Sequence, residues 1–367
     1  MLNSMTPNFF DSAHTEQTQD GFIAWLCSCY GGKTRNKALK SISKKFIKTL
    51  LGISINNLSR VEAEIQKNKI DIFLTLNSGK YYVIIEDKKN SQIHDDQLRR
   101  YIDDIKENEG ISENRIFVVY YKTGHLSSTP NCIYCKNSGC YYDSTKKSEK
   151  EQVEYIKQKY PKLAGLKICT LKDIYDFFQS KPIEPLVGES GSEILQDYVK
   201  NIEKQYKNYT KTKVNAKDGR KEPIWGRIFD DFITKIKTKY PELLFKLDYY
   251  SGKYWEIYIT ENPKETGNGS QPYNAPILNI RSNIFEEKTH SIYFFNVNNN
   301  KRYSSLERHQ KSSSYVINWG KFNRKGLNRC RFSGKTVSIK NIHRLLDAIC
   351  KEFNNYEIKK KGEGFKL

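Results

Sequence analysis

Residues 69–101, KIDIFLTLNSGKYYVIIEDKKNSQIHDDQLRRY, decide how the first half of this chain is read. Two runs rich in β-branched, aliphatic and aromatic residues, KIDIFLTL and YYVIIEDK, flank the polar Asn77-Ser78-Gly79-Lys80. Such runs around a Gly-containing turn are the pattern of a β-hairpin. With Ser78 and Gly79 as the turn residues, Asn77 faces Lys80, and counting outward sets Asp71 opposite Glu86. Directly opposed antiparallel residues stand roughly 4.5–5.5 Å apart at Cβ, where like charges repel. Alternation along the strand places Lys88 on the face of Glu86. Two carboxylates and an ammonium therefore converge where the second strand leaves its apolar run. Acid set against acid at the end of a buried hairpin implies a bridging cation. All-oxygen ligation suits Mg²⁺ or Mn²⁺.

Beyond the hairpin a helical pattern begins at Asp95 and Asp96 and runs to about Glu107. Acidic residues in a first turn complement the helix dipole. Gln97 and Tyr101 are four apart and share one helical face. A carboxamide and a phenol beside the carboxylates suit contacts to a phosphodiester backbone.

These residues carry a family resemblance. Asp71 followed by Glu86-Asp87-Lys88 resembles the PD-(D/E)xK nuclease signature, with Ile70 in place of the proline. Gln97-Leu98-Arg99-Arg100-Tyr101 resembles the QxxxY motif of the RecB-like branch, and His14-Thr15-Glu16-Gln17-Thr18-Gln19-Asp20 the acidic first helix of the superfamily. The resemblance covers residues 10–180. It implies an α/β fold, a restriction-endonuclease-like core with a mixed central sheet flanked by helices. It further implies that Asp71, Glu86 and the backbone carbonyl of Asp87 hold one or two Mg²⁺ or Mn²⁺ ions. Lys88 would orient or help deprotonate a water, Gln97 would hold the nucleophile or the backbone, and Tyr101 would support its helix face. Glu16 would complete the metal site or hold a metal-bound water. As a plain helix-start acid it would only answer the dipole.

Length, charge and cysteine usage bound the rest. A chain of 367 residues is enough for two domains. The aliphatic fraction is modest, but with 25 Tyr and 18 Phe the chain can build a core, so a folded protein is expected. A formal charge of +20 favours a polyanionic partner. The joint abundance of Lys, Asn, Ile and Tyr, as from an AT-rich genome, discounts that argument. No basic region followed by an apolar one opens the chain, and no apolar run approaches the length of a membrane span. Eight Cys without signs of secretion argue against a disulfide framework. A cytoplasmic protein without a membrane partner is expected; oligomeric state is not legible.

Upstream of the hairpin, residues 14–29 read as a helix with Phe22, Ile23, Trp25, Leu26 and Cys29 at apolar positions. A second helix is expected over 36–51, with a basic outer face, and a strand over 61–66. The apolar run 115–121 reads as a buried central strand, 166–170 as another strand, and 171–179 as a helix. Between the last two strands lies an insertion, residues 125–150, carrying Cys132, Cys135 and Cys140 with His125 upstream. Such thiolates can hold a structural Zn²⁺; the resemblance also admits an Fe–S cluster. Tyr134, Tyr141 and Tyr142 could equally form an aromatic clasp.

A Pro/Gly/Ser-rich stretch, 181–192, reads as a linker between a nuclease-like domain, 1–180, and a basic α+β domain, 193–367. The latter is expected to hold two helices, then an antiparallel sheet, then a closing helix over 338–353. Most of the surplus positive charge lies there. Arg302, Arg308, Lys311, Lys321, Arg324 and Lys325 mix with Tyr303, His309 and Phe322, a composition suited to phosphate contacts and base stacking. The same clusters would also serve as solvated basic loops.

Two functions are compatible with this reading. One is a metal-dependent hydrolase of nucleic-acid phosphodiesters, with DNA the foremost substrate, acting in phage defence, restriction or repair. The other is a nucleic-acid-binding or effector-sensing module on a nuclease scaffold, with weak or conditional cleavage.

Overall fold

The structure is a computed structural model that describes residues 8–12, 16–32, 34–53, 58–89, 91, 93, 96–129, 133–135, 139–141, 148–215, 223–241, 243–250, 254–261, 278–281, 290–296, 310–311, 315–318, 327–332 and 336–362. In chain order it begins with α1 (Phe9–Ser12), α2 (Glu16–Ser28), α3 (Lys37–Leu51), β1 (Val61–Lys67), β2 (Ile70–Leu76), β3 (Tyr81–Lys88), α4 (Gln97–Asn108) and β4 (Ile116–Lys122). Then come β5 (Ile133–Cys135), β6 (Gly139–Tyr141), α5 (Glu149–Lys159), β7 (Gly165–Thr170), α6 (Leu171–Gln179), α7 (Glu184–Glu189) and α8 (Glu193–Thr210). The remainder forms β8 (Lys213–Asn215), α9 (Pro223–Ile236), β9 (Leu243–Tyr250), β10 (Tyr254–Glu261), β11 (Leu278–Arg281), β12 (His290–Asn296), β13 (Gln310–Lys311), β14 (Tyr315–Asn318), β15 (Leu327–Phe332), β16 (Thr336–Ser338) and α10 (Ile339–Gly362). Two compact units result: Met1–Leu126 with Lys150–Asn208, and Ser127–Glu149 with Tyr209–Leu367.

The first unit is built on a five-stranded mixed sheet in the order β1-β2-β3-β4-β7. β1, β2 and β3 pair antiparallel, whereas β3–β4 and β4–β7 are parallel. The β2–β3 turn uses Asn77, Ser78 and Gly79, all at positive φ, and Leu76 pairs with Tyr81. Ile72 pairs with Ile85, so one further step in this register sets Asp71 against Glu86. Both faces of the sheet are covered. Phe73, Ile84, Val118 and Tyr120 pack into one core with Leu98, Tyr101, Ile102 and Ile105 of α4 and Val153 and Ile156 of α5. The opposite face meets α2, whose Gln19 side chain donates to Asp87 Oδ1 at 2.7 Å and to Thr123 Oγ1 at 3.1 Å. Every residue of β4 is buried, as its apolar run requires.

The boundary between the units departs from the expected one. The stretch 181–192 holds a helix rather than an open linker: a proline in the first turn of α7 has its φ pre-set for helix, and Ile183 and Val187 are buried. α8, as far as Asn208, also belongs to the first unit. Its Tyr198 stacks on Phe22 with ring centroids 3.8 Å apart, and its hydroxyl meets that of Tyr121 at 2.7 Å. Aromatic burial of this kind outweighs the turn-forming composition that suggested a break. A smaller departure concerns α4, which opens at Gln97 with no acid in its first turn; Asp96 precedes it.

In the second unit, seven strands pair antiparallel in the order β13-β14-β15-β12-β11-β10-β9. Leu243, Phe245 and Leu247 of β9 and Trp255, Ile257 and Ile259 of β10 alternate into a core with α9 and α10. The root of the insertion is part of this unit. Asp230 of α9, 4% exposed, accepts from Ser128 N–H and Ser128 Oγ, each at 2.8 Å, and from Thr129 Oγ1 at 2.5 Å. Buried Glu149 accepts from Ser127 N–H at 2.8 Å. Among the described residues, no helix is long and apolar enough to cross a membrane.

Candidate active site

Asp71, Glu86 and Lys88 meet at the open end of the β2–β3 hairpin, on the α4 side of the sheet. Lys88 Nζ lies 3.3 Å from Asp71 Oδ2 and forms an ion pair with Glu86 Oε1. It also donates to the backbone carbonyl of Asp87 at 3.1 Å. One ammonium thus touches all three oxygens expected to hold a metal. Asp71 Oδ2 additionally accepts from Asp87 N–H at 3.0 Å, which fixes the carboxylate against β3.

Burial governs the electrostatics. Glu86 is fully buried, and beyond its ion pair neither carboxylate oxygen takes part in a hydrogen bond. Desolvation pushes its pKa up from 4.5 to about 8, against the opposing pull of Lys88 and with a further push from Asp71. Burial alone would weaken the Lys88 ammonium, but Glu86 and Asp71 together hold its pKa above the ordinary value. Lys88 is therefore charged at neutral pH.

Gln97 and Tyr101 share a helical face, as their spacing requires, and they are bonded to each other. Gln97 Nε2 donates to Tyr101 Oη at 2.7 Å, and Tyr101 Oη donates to the carbonyl of Lys69 at 2.6 Å. The phenol thereby pins the chain two residues before Asp71. Burial raises the Tyr101 pKa, so the hydroxyl keeps its proton and serves as a donor.

Glu16 is placed differently from its neighbours. Its Oε1 accepts from Lys89 N–H at 2.9 Å and Ser91 Oγ at 2.8 Å, on the segment that follows β3. One helical turn later stands Asp20, a residue the sequence reading did not single out. Asp20 is 2% exposed, and burial followed by the charge of Asp71 raises its pKa to about 7. Burial, followed by the charge of Asp20, also pushes the Asp87 carboxyl well above its ordinary value. Asp87 points to the α2 face because it alternates with Glu86 and Lys88. The sequence signal for Asp20 was its i+4 spacing from Glu16, which places both on one helix face.

A second missed residue is Lys122. The parallel register aligns it with Lys88, and it is fully buried. Its Nζ donates to the Ser91 carbonyl at 2.5 Å. In sequence it was only the last residue of an apolar strand.

Among the described residues, no three His, Cys, Asp or Glu side chains form a metal cage by themselves. The donor set here is instead two carboxylates and a peptide carbonyl. Hard oxygens, among them a buried Glu86 Oε2 without a hydrogen-bond partner, fit a small divalent cation.

Residues 4–170 match the model of the PD-(D/E)XK nuclease superfamily. The matched segment contains Glu16, Asp71, Glu86, Lys88, Gln97 and Tyr101 and ends with β7. No curated protein and no solved structure matches the chain.

Other expected site residues are not located by the structure. Cys132 lies outside the described residues. Cys135 and Cys140 fall on the antiparallel β5–β6 pair, where Tyr134 is opposite Cys140, but their side chains lie outside what is described. Arg302, Arg308, Lys321, Arg324 and Lys325 also lie outside the described residues, and Lys311 is placed only as part of β13.

Proposed function

We propose that the first unit hydrolyses phosphodiester bonds of nucleic acid, DNA foremost, with Mg²⁺ or Mn²⁺ held by Asp71, Glu86 and the Asp87 carbonyl. The observation that carries this reading is the single ammonium of Lys88 touching those three oxygens. Oxygens that share one cation in this way offer a ready place for another. When bound, the metal lowers the pKa of a coordinated water and offsets phosphoryl charge.

The chain's own groups divide the remaining work. Lys88, charged at neutral pH, acts as a hydrogen-bond donor to a phosphoryl oxygen or to the attacking water rather than as the base. Tyr101 anchors the start of β2, and so Asp71, through the Lys69 carbonyl. Gln97, held by Tyr101, presents its carboxamide toward the nucleophile or backbone, which supports the QxxxY reading and with it the RecB-like branch. The second unit captures substrate through Arg302, Arg308, Lys311, Lys321, Arg324 and Lys325. A cytoplasmic role in restriction, phage defence or repair follows by analogy of fold only.

The test is incubation with plasmid, single-stranded DNA and RNA, with and without Mg²⁺ or Mn²⁺. Glu86→Ala and Lys88→Ala should each abolish cleavage while the protein remains folded. Full activity in Glu86→Ala would overturn the assignment.

A further inference from the structure

The segment joining the catalytic end of β3 to α4 is held from two sides at Ser91. From α2, Glu16 Oε1 takes the Ser91 hydroxyl at 2.8 Å and the Lys89 N–H at 2.9 Å. From β4, the fully buried Lys122 gives its ammonium to the Ser91 carbonyl at 2.5 Å. Three polar contacts from two distant elements thus converge on Lys89 and Ser91. Lys88 lies immediately before that segment and Gln97 shortly after it.

An ammonium without solvent exposure is expensive to bury, and an apolar side chain at this strand end would fill the space without that penalty. A lysine there needs a reason. The parallel register supplies one: Lys122 stands beside Lys88 on the same sheet face, within reach of the segment that Lys88 leads into.

We infer that Glu16 and Lys122 form a clamp on Ser91, and that both are positioning residues. They hold the β3–α4 connection so that Lys88 and Gln97 face the reacting phosphodiester together. This assigns Glu16 a hydrogen-bonding role toward the protein's own backbone instead of a place among the metal's oxygens. It gives Lys122 a role that the motif does not include. The catalytic part of the inference rests on the nuclease reading above; the clamp itself does not.

The substitutions discriminate because they separate charge from hydrogen bonding. Glu16→Gln keeps an acceptor oxygen for Lys89 and Ser91, whereas Glu16→Ala removes it. Lys122→Arg keeps a donor, whereas Lys122→Met removes it at similar length. Two readouts are taken on the full chain: amide hydrogen exchange of the peptide spanning 88–97 in EDTA, and kcat, KM and Mg²⁺ dependence on DNA. Glu16→Ala and Lys122→Met should each speed exchange in that peptide and lower kcat with little change in KM. A misplacement of about 1 Å is worth on the order of 100-fold in rate. Glu16→Gln and Lys122→Arg should recover most of both. Ser91→Ala, on a half-exposed residue, should give a partial version of the Glu16→Ala effect and serves if Lys122→Met does not fold.

Unchanged exchange and unchanged kcat in both Glu16→Ala and Lys122→Met would overturn the clamp. Glu16→Gln as damaging as Glu16→Ala, with a raised Mg²⁺ requirement, would overturn it in favour of Glu16 as a metal ligand. If the wild-type protein cleaves nothing while exchange still quickens in both variants, the nuclease reading fails and the clamp stands.

Discussion

Replacing Lys88 by Met removes the ammonium that touches Asp71, Glu86 and the Asp87 carbonyl together. Glu86 is fully buried and Lys88 is 8% exposed, so solvent cannot take over the lost pairing. Breaking one side of a buried ion pair costs about 3–5 kcal/mol. That cost should depend on pH, because Glu86 can escape it by keeping a proton. Its pKa, raised from 4.5 to about 8 with Lys88 present, can only climb further without it. A carboxyl whose folded pKa lies above its unfolded value binds more protons in the folded state. Stability is then greatest at low pH and is lost as pH rises through the folded pKa. In EDTA, the stability gap between Lys88→Met and wild type should therefore be small near pH 6 and open as pH passes the wild-type value of about 8, reaching about 1.4 kcal/mol near pH 9 and growing toward the full cost only at higher pH. Mg²⁺ at about 100 times its Kd would return about 2.7 kcal/mol if it occupies the same oxygens. Urea unfolding at the two pH values, with EDTA and then with excess Mg²⁺, reads all three quantities. A gap that is absent at pH 9, or equal at both pH values, would refute the idea that Lys88 is the counterion of a buried Glu86.

Three further outcomes are expected. Tyr101→Phe removes the donor to the Lys69 carbonyl and the acceptor for Gln97, and should cost about 1–3 kcal/mol by denaturation; cleavage should fall more than that loss explains if the phenol sets the position of Asp71. Asp230→Ala strips three hydrogen bonds from Ser128 and Thr129, and should lower the melting temperature and expose the chain at Ser127–Thr129 to limited proteolysis; a protease pattern identical to wild type would contradict the anchoring. Charge reversal at Arg302, Arg308 and Arg324 should weaken DNA binding to all sequences alike and flatten its salt dependence, measured by fluorescence anisotropy; an unchanged salt slope would remove these residues from the phosphate contacts.

Much of the site was legible in one dimension because its key residues are close in sequence. Strand alternation and the turn at Ser78-Gly79 specify the hairpin register, and that register alone puts Asp71 across from Glu86 with Lys88 alongside. Helical spacing alone puts Gln97 beside Tyr101. Local periodicity carried this information, since a period of two or of 3.6 residues determines which side chains share a face.

What the tertiary structure alone decided involves partners far apart in the chain. Asp20 reaches Asp87 because α2 packs across the sheet face that alternation gives to Asp87. Lys122 stands beside Lys88 because β4 pairs parallel with β3, in a register that no turn between them encodes. The domain boundary went the same way: residues 181–208 join the first unit through the burial of Ile183, Val187 and Tyr198, while residues 127–149 join the second through Asp230. Composition reports local backbone preference, whereas these choices were made by which distant apolar faces and buried polar groups found partners.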